Sequence, residues 1–208
     1  MLEQLKIFIS RNTHRLFKKR VKSDVLSSEK LRIRKEVYSL KKKFLTDDYK
    51  KTQSEAVFAK IERMSDFTKA ETVLMYWSLD DELPTHDFIR KWSQSKIILL
   101  PVVRDHHMSI RPFKSAETLE KGQLGVMQPG MSSQDYLAMA DLVILPGIAF
   151  DHSRRRLGRG KGYYDRYLKK NKRPKWGIGF DFQLYENIPS ASFDVRMDKV
   201  ITAAEIVS

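Results

Sequence analysis

Between Arg154 and Leu168 the chain reads RRRLGRGKGYYDRYL, with glycines at 158, 160 and 162 and cations at 159 and 161 between them. Alternate glycines allow backbone conformations closed to other residues, so successive amide N–H groups can turn toward one anion. Arg159 and Lys161 add full positive charges to those dipoles. The pattern YYDRYLKK predicts a helix that starts directly after the loop, and its positive end then faces the same volume. Together these describe a cradle for phosphate. The run is not a Walker loop, because Lys161 is followed by Gly162 rather than Ser or Thr and no hydroxyl stands ready for magnesium. Asp165, one turn into the helix, can supply the missing oxygen, since Mg2+ is commonly held by one or two carboxylates plus substrate phosphates. The same carboxylate would also complement the helix N-terminus, and the residues alone leave both readings open. A GxGxG by itself also occurs in turns that bind nothing.

Such a loop needs elements to hold it. ETVLMYWSL, SKIILLPVV and ADLVILPG are continuous apolar runs of strand length, as expected of strands buried on both faces of a parallel sheet. MSIRPF and KWGIGF predict further strands. Ser28 is read as the cap of a helix with Leu31, Val37, Leu40 and Phe44 on its apolar face and a basic outer face. Thr46 with Asp47 and Asp48 opens a second helix that runs to about Met64. THDFIRKWSQ predicts a short helix capped by Thr85. Alternating strands and helices indicate an α/β fold: a mostly parallel twisted sheet flanked by helices in a Rossmann-like, three-layer single domain. Ligands of such sheets sit at the carboxyl ends of the strands, which places WSLDDELP and LPGIAFD at the rim of a site. The interval from Gly122 to Gly130 reads as a surface loop. There is no internal repeat.

The 208 residues suffice for one sizeable core. Cysteine is absent, which removes disulfide and thiolate chemistry and fits a reducing, cytoplasmic setting. The histidines lack metal-like spacing: His106 and His107 fall in the turn before MSIRPF, and His14, His86 and His152 are isolated. No apolar run reaches the roughly 20 residues needed to cross a bilayer. The net charge of +13 asks for a polyanionic partner, but residues 1–51 hold 16 Lys/Arg against 6 Asp/Glu and so carry most of the excess. That placement favours a solvated basic helix face over a nucleic-acid footprint. Residues 1–28 form a basic amphipathic arm, for which a surface helix and a mitochondrial-type presequence both remain open.

In chain order, KLRIRKEV, YWSLDDELPT, LPGIAFD, RLGRGKGYYDRYL, GIGFDFQL and DVRMDKVIT resemble the landmarks of the 5-formyltetrahydrofolate cyclo-ligase family, also called methenyltetrahydrofolate synthetase. The resemblance spans 29–208 and leaves 1–28 outside as an extension. It implies an ATP- and Mg2+-dependent cyclisation of 5-formyltetrahydrofolate to the 5,10-methenyl compound, releasing ADP and phosphate through a phosphorylated formyl intermediate. It further implies that ATP is bound by Lys30, Arg34 and the loop residues Arg156, Leu157, Gly158, Arg159, Gly160, Lys161, Gly162, Tyr163 and Tyr164. Arg159 and Lys161 would act on the transferring phosphoryl group. The folate side would be met by Trp77, Glu82 and Arg34, with the segment Arg159 to Tyr163 shared. Asp165 and Asp194 match the magnesium positions, with Asp198 as the alternative to Asp194. Gln128 stands where many members carry glutamate. A monomer with no nucleic-acid or membrane partner is expected, though the sequence does not fix the oligomeric state. A basic nucleic-acid-binding protein and a different nucleotide-binding phosphotransferase are the two alternatives.

Overall fold

The computed structural model describes residues 24–105, 107–122, 125–130, 134–136, 139–169, 171–191 and 194–208. Most of the N-terminal arm and His106 therefore lie outside the described residues. The first helix, α1, covers 24–44 and runs unbroken through Ser28. Ser28 is thus not a cap; its hydroxyl donates back to the Val25 carbonyl at 2.8 Å. The face turned inward also differs from the expected one. Ile33 and Val37 are buried with Lys41, whereas Leu31 is 51% exposed and Phe44 40% exposed. At 3.6 residues per turn, Leu31 lies on nearly the opposite side of the helix from Ile33.

Helix α2 (Asp47–Glu62) starts as its sequence predicts, with the Thr46 hydroxyl accepting from the Tyr49 N–H, and buries Val57, Phe58 and Ile61. After α3 (Ser65–Lys69) comes β1 (Thr72–Leu74), which pairs in parallel with β2 (Ile97–Arg104) on one side and β6 (Leu142–Pro146) on the other. Helix α4 (His86–Trp92) links β1 to β2. Thr85 precedes α4 without capping it. Fully buried, its hydroxyl donates to the Tyr76 carbonyl at 2.7 Å and accepts from Ser78 N–H at 3.1 Å, tying down the chain that leaves β1.

Strand β3 (His107–Pro112) returns antiparallel to β2. The interval expected as a surface loop instead carries β5 (Met127–Pro129), paired with β4 (Leu119–Lys121) and fastened to β2 where the Gln128 side-chain carbonyl accepts from Val103 N–H. β7 (Ala149–Asp151) pairs with β8 (Arg156–Leu157) and later with β10 (Leu184–Tyr185), forming a small separate sheet. α5 (Tyr163–Leu168), β9 (Lys175–Ile178), β11 (Lys199–Ile201) and β12 (Ile206–Val207) complete the chain. The main sheet has the order β12-β11-β9-β6-β1-β2-β3, parallel throughout except at its two edges. Trp176 of β9, Phe67 of α3 and Phe180 are among the largest fully buried side chains of the described residues. Gly147 and Gly177 accept the Phe150 ring against bare backbone, where a Cβ at either position would overlap it.

Candidate functional site

In sequence order the parallel strands run from β1 out to β2, then back across β1 to β6. The connections on either side of the β1–β6 pair therefore leave in opposite directions, which opens a crevice at the strands' carboxyl ends. A cleft of about 620 Å3 lies there, floored by Tyr76 and Trp77 beyond β1 and by Pro146, Gly147 and Ile148 at the end of β6. A shallower groove at the opposite ends of β1 and β2 is lined by Lys69 and Lys96, the latter engaged by the Thr68 and Ala70 carbonyls.

The glycine loop forms one wall of the cleft. Gly160 has φ of +100° and Gly162, the residue before α5, has φ of +67°, so both occupy backbone that favours glycine. Lys161 between them is exposed, and among the described residues its ammonium makes no hydrogen bond or ion pair with the protein. Arg156 is the loop's anchor. Its side chain is 4% exposed, donates to the Pro146 carbonyl, and reaches both Asp165 carboxylate oxygens at 3.2 Å, with the guanidinium 5.5 Å from the Tyr164 ring centre. Among the described residues its Nε is buried without a partner. Leu157 packs inward; burial pushes the Tyr164 phenol well above its ordinary value. The Tyr163 hydroxyl donates to the Asp105 carbonyl, joining the loop to the β2–β3 turn.

Helix α1 supplies the second wall through residues spaced along one face. Lys30 Nζ meets Asp194 Oδ2 at 2.5 Å, and the same oxygen accepts from Ala191 N–H at 2.7 Å. Arg34 Nε donates to the Gly158 carbonyl at 3.0 Å. Tyr38 approaches Arg159, and Lys41 Nζ meets Asp81 Oδ2 at 2.9 Å.

The loop after β1 brings the carboxylates. Glu82 is not a cap for α4: its Oε2 accepts from Leu79 N–H, while its Oε1 accepts from Arg159 Nε at 3.3 Å and Nη2 at 3.0 Å. Asp81 Oδ1 takes the same Nη2 at 2.7 Å. Burial works to raise the Asp81 carboxyl, but the Lys41 hydrogen bond and the charges of Lys41 and Arg159 outweigh it and hold the group below its ordinary range. Trp77 lines the cleft and is also core: His86 stacks on it at 4.1 Å and Phe113 at 5.5 Å. Burial lowers the His86 imidazole below its ordinary value.

Asp165 and Asp194 both face the cleft, each beside a cation. Among the described residues no group of three or more His, Cys, Asp or Glu could form an all-protein metal cage. Two carboxylates near a phosphate cradle fit Mg2+, which keeps water and phosphate oxygens for its remaining positions. Asp198 is placed elsewhere: its Oδ2 accepts from the Lys175 N–H and pairs with the Lys175 ammonium at the start of β9.

The expected site residues thus converge on one cleft. Tyr38, Lys41, Asp81 and Gln128 also belong to the surroundings of the site but were not among the expected residues. Continuing the spacing of Lys30 and Arg34 along α1 would have pointed to Tyr38 and Lys41. No sequence spacing connects Lys41 to Asp81.

Residues 26–203 match the model of the 5-formyltetrahydrofolate cyclo-ligase family. The chain is 30% identical over 165 residues to the 5-formyltetrahydrofolate cyclo-ligase of Mus musculus, covering 72% of this chain and 81% of that one. It is likewise 30% identical to the Haemophilus influenzae protein of that name over 142 residues, 64% of this chain and 76% of the relative. The solution structure of Aquifex aeolicus 5,10-methenyltetrahydrofolate synthetase superposes with a TM-score of 0.76 at 29% identity, over 85% of this chain and 91% of that one.

Proposed function

Because the chain belongs to the 5-formyltetrahydrofolate cyclo-ligase family and is a ligase, we propose that it closes 5-formyltetrahydrofolate to 5,10-methenyltetrahydrofolate at the expense of ATP. One observation carries the reading: Arg159, inside the glycine loop, hydrogen-bonds Glu82 on the other side of the same cleft. A phosphate cradle and a carboxylate suited to a pterin edge therefore share one volume. Glu82 can accept two N–H groups from the amide- and guanidine-like edge of a pterin, and Trp77 offers an aromatic surface nearby.

An amide oxygen is a weak nucleophile and, once expelled, a poor leaving group. Transfer of the γ-phosphoryl group to the formyl oxygen, which releases ADP, meets the second difficulty: the neighbouring folate N–H nitrogen then adds to the activated carbon, its proton passes to solvent, and the C–O bond breaks to release phosphate. The protein's part is positioning and charge. Lys161, exposed between two glycines and without a hydrogen bond or ion pair among the described residues, would follow the charge that moves to the transferring group. Arg159 sits between the two ligands and can orient both. Arg156, Lys30 and Arg34 hold the loop, Asp194 and α1 in a fixed relation. Asp165 and Asp194 are the residues that would hold Mg2+, and the ion would supply charge neutralisation of the phosphates. No helix of the described residues is long and apolar enough to cross a membrane; we propose a cytoplasmic monomer.

Near-ultraviolet absorbance of the methenyl product tests this directly. It should rise only when ATP, Mg2+ and 5-formyltetrahydrofolate are all present. ATP hydrolysis indifferent to the folate would favour the general phosphotransferase reading. Tight nucleic-acid binding that weakens steeply with salt, without turnover, would favour the nucleic-acid one.

A further inference from the structure

Lys41, Asp81, Arg159 and Glu82 form a chain of alternating charge that joins α1, the loop after β1 and the glycine loop. Its composition is poor as a stability device. The Arg159 and Asp81 side chains are 39% and 35% exposed, and ion pairs so open to solvent add little. Lys41 is 5% exposed and burial draws its ammonium below its ordinary value, with the Asp81 hydrogen bond and charge opposing that effect. An apolar side chain of similar length in its place would avoid the cost of burying a cation. Something other than stability accounts for this arrangement.

The geometry supplies it. Arg159 follows Gly158 and precedes Gly160, whose φ is +100°, so the loop backbone leaves its long side chain many places to point. Asp81 Oδ1 takes Arg159 Nη2 at 2.7 Å, the shortest of the contacts that hold the guanidinium. Glu82 receives the same group from the adjacent position. Asp81 is fixed in turn from behind, where its second oxygen meets the buried Lys41 ammonium.

We propose that Asp81, backed by Lys41, is a positioning residue for the cyclisation: it aims the Arg159 guanidinium, which it shares with Glu82, into the space between folate and triphosphate. This rests on the cyclo-ligase reading. When Asp81 is neutralised, Arg159 keeps Glu82 as its one carboxylate partner among the described residues and swings with it. Productive alignment is then lost although both ligands can still be held.

The test uses the full-length protein in three forms, Asp81→Asn, Lys41→Met and the double variant, with methenyl formation and thermal unfolding measured in each. Asp81→Asn leaves the Lys41 cation buried without its counter-charge, so it should lower both Tm and kcat, the latter by about 10-fold or more. The KM for ATP should move by less than about 3-fold. Adding Lys41→Met removes the stranded cation, so the double variant should recover Tm while kcat stays low. Recovery of kcat together with Tm would make Asp81 merely structural and overturn the inference, as would wild-type kcat in Asp81→Asn. Wild-type protein without folate-dependent turnover would overturn the cyclo-ligase reading itself, and this inference with it.

Discussion

Lys161 and the aspartates are where single side chains make separable predictions. The Lys161 ammonium makes no hydrogen bond or ion pair among the described residues, so the fold does not depend on it. Lys161→Ala should leave Tm within about 1 °C and lower kcat by roughly 100-fold or more, because a cation aimed at a transferring phosphoryl group acts mainly in the transition state. Wild-type turnover in that variant would remove Lys161 from the mechanism. For magnesium the choice between Asp194 and Asp198 is open to the same treatment. Asp194 faces the cleft beside Lys30, whereas Asp198 is spent on Lys175 outside it. Asp165→Asn and Asp194→Asn should each raise the Mg2+ concentration needed for half-maximal rate. The double variant should fall well short of additivity, since each change already spoils one ion's site. In Asp198→Asn the Mg2+ requirement should stay as in wild type; a shift equal to that of Asp194→Asn would move the second ligand.

Helix α1 shows which elements could be read in advance and which could not. Its existence and the placing of Lys30 and Arg34 on one face are legible because local spacing decides them. Its inner face is not. Leu31 and Phe44 look like core in the sequence, but they are exposed, and the buried positions include a lysine whose partner lies 40 residues away. The parallel strands were legible for the opposite reason: burial on both faces writes itself as an unbroken apolar run. β5 was hidden because three residues among Gly and Pro carry too little pattern, and it was the Gln128 bond to β2 that fastened them. The proposed boundary after Ser28 falls within α1, and Ser27 lines the cleft. A chain beginning at Asp24 should therefore keep wild-type kcat and KM. One beginning at Glu29 leaves Lys30 in a frayed first turn, and its KM for ATP should rise by about 3-fold or more while kcat is kept. Equal kinetics for both would place the start of the working unit at Glu29; loss of kcat in the first would make residues 1–23 part of the site.

At the scale of the whole molecule the charge balance sets an acid limit. Asp81, Asp135 and Asp141 are all held below the ordinary aspartate value of 3.8. For Asp141 the main cause is the hydrogen bond from the Thr72 backbone N–H, with burial acting the other way and bonds from the Thr72 hydroxyl and Glu71 N–H adding to the effect. This carboxylate clamps the start of β1 to the start of β6, the pair at whose far end the cleft opens. A carboxyl with a lower pKa in the folded than in the unfolded chain binds protons more readily when unfolded. Its contribution is complete above the unfolded value, and is lost as pH falls through the folded one. Each protonation also adds to a net charge that is already +13 at neutral pH, so self-repulsion grows in the same interval. The urea midpoint should therefore decline gently from pH 7 to about 5, where the unfolded chain protonates His86 more readily than the folded one does, and drop steeply below about 4. In Asp141→Asn it should start lower, by about 1–2 kcal/mol of stability at pH 7 for the weakened charge-assisted bonds, and should fall less steeply with acid because one linked group is gone. A parallel downward shift with an unchanged acid slope would mean that Asp141 holds the strands without being linked to protons, and that the acid limit of this sheet is set by other carboxylates.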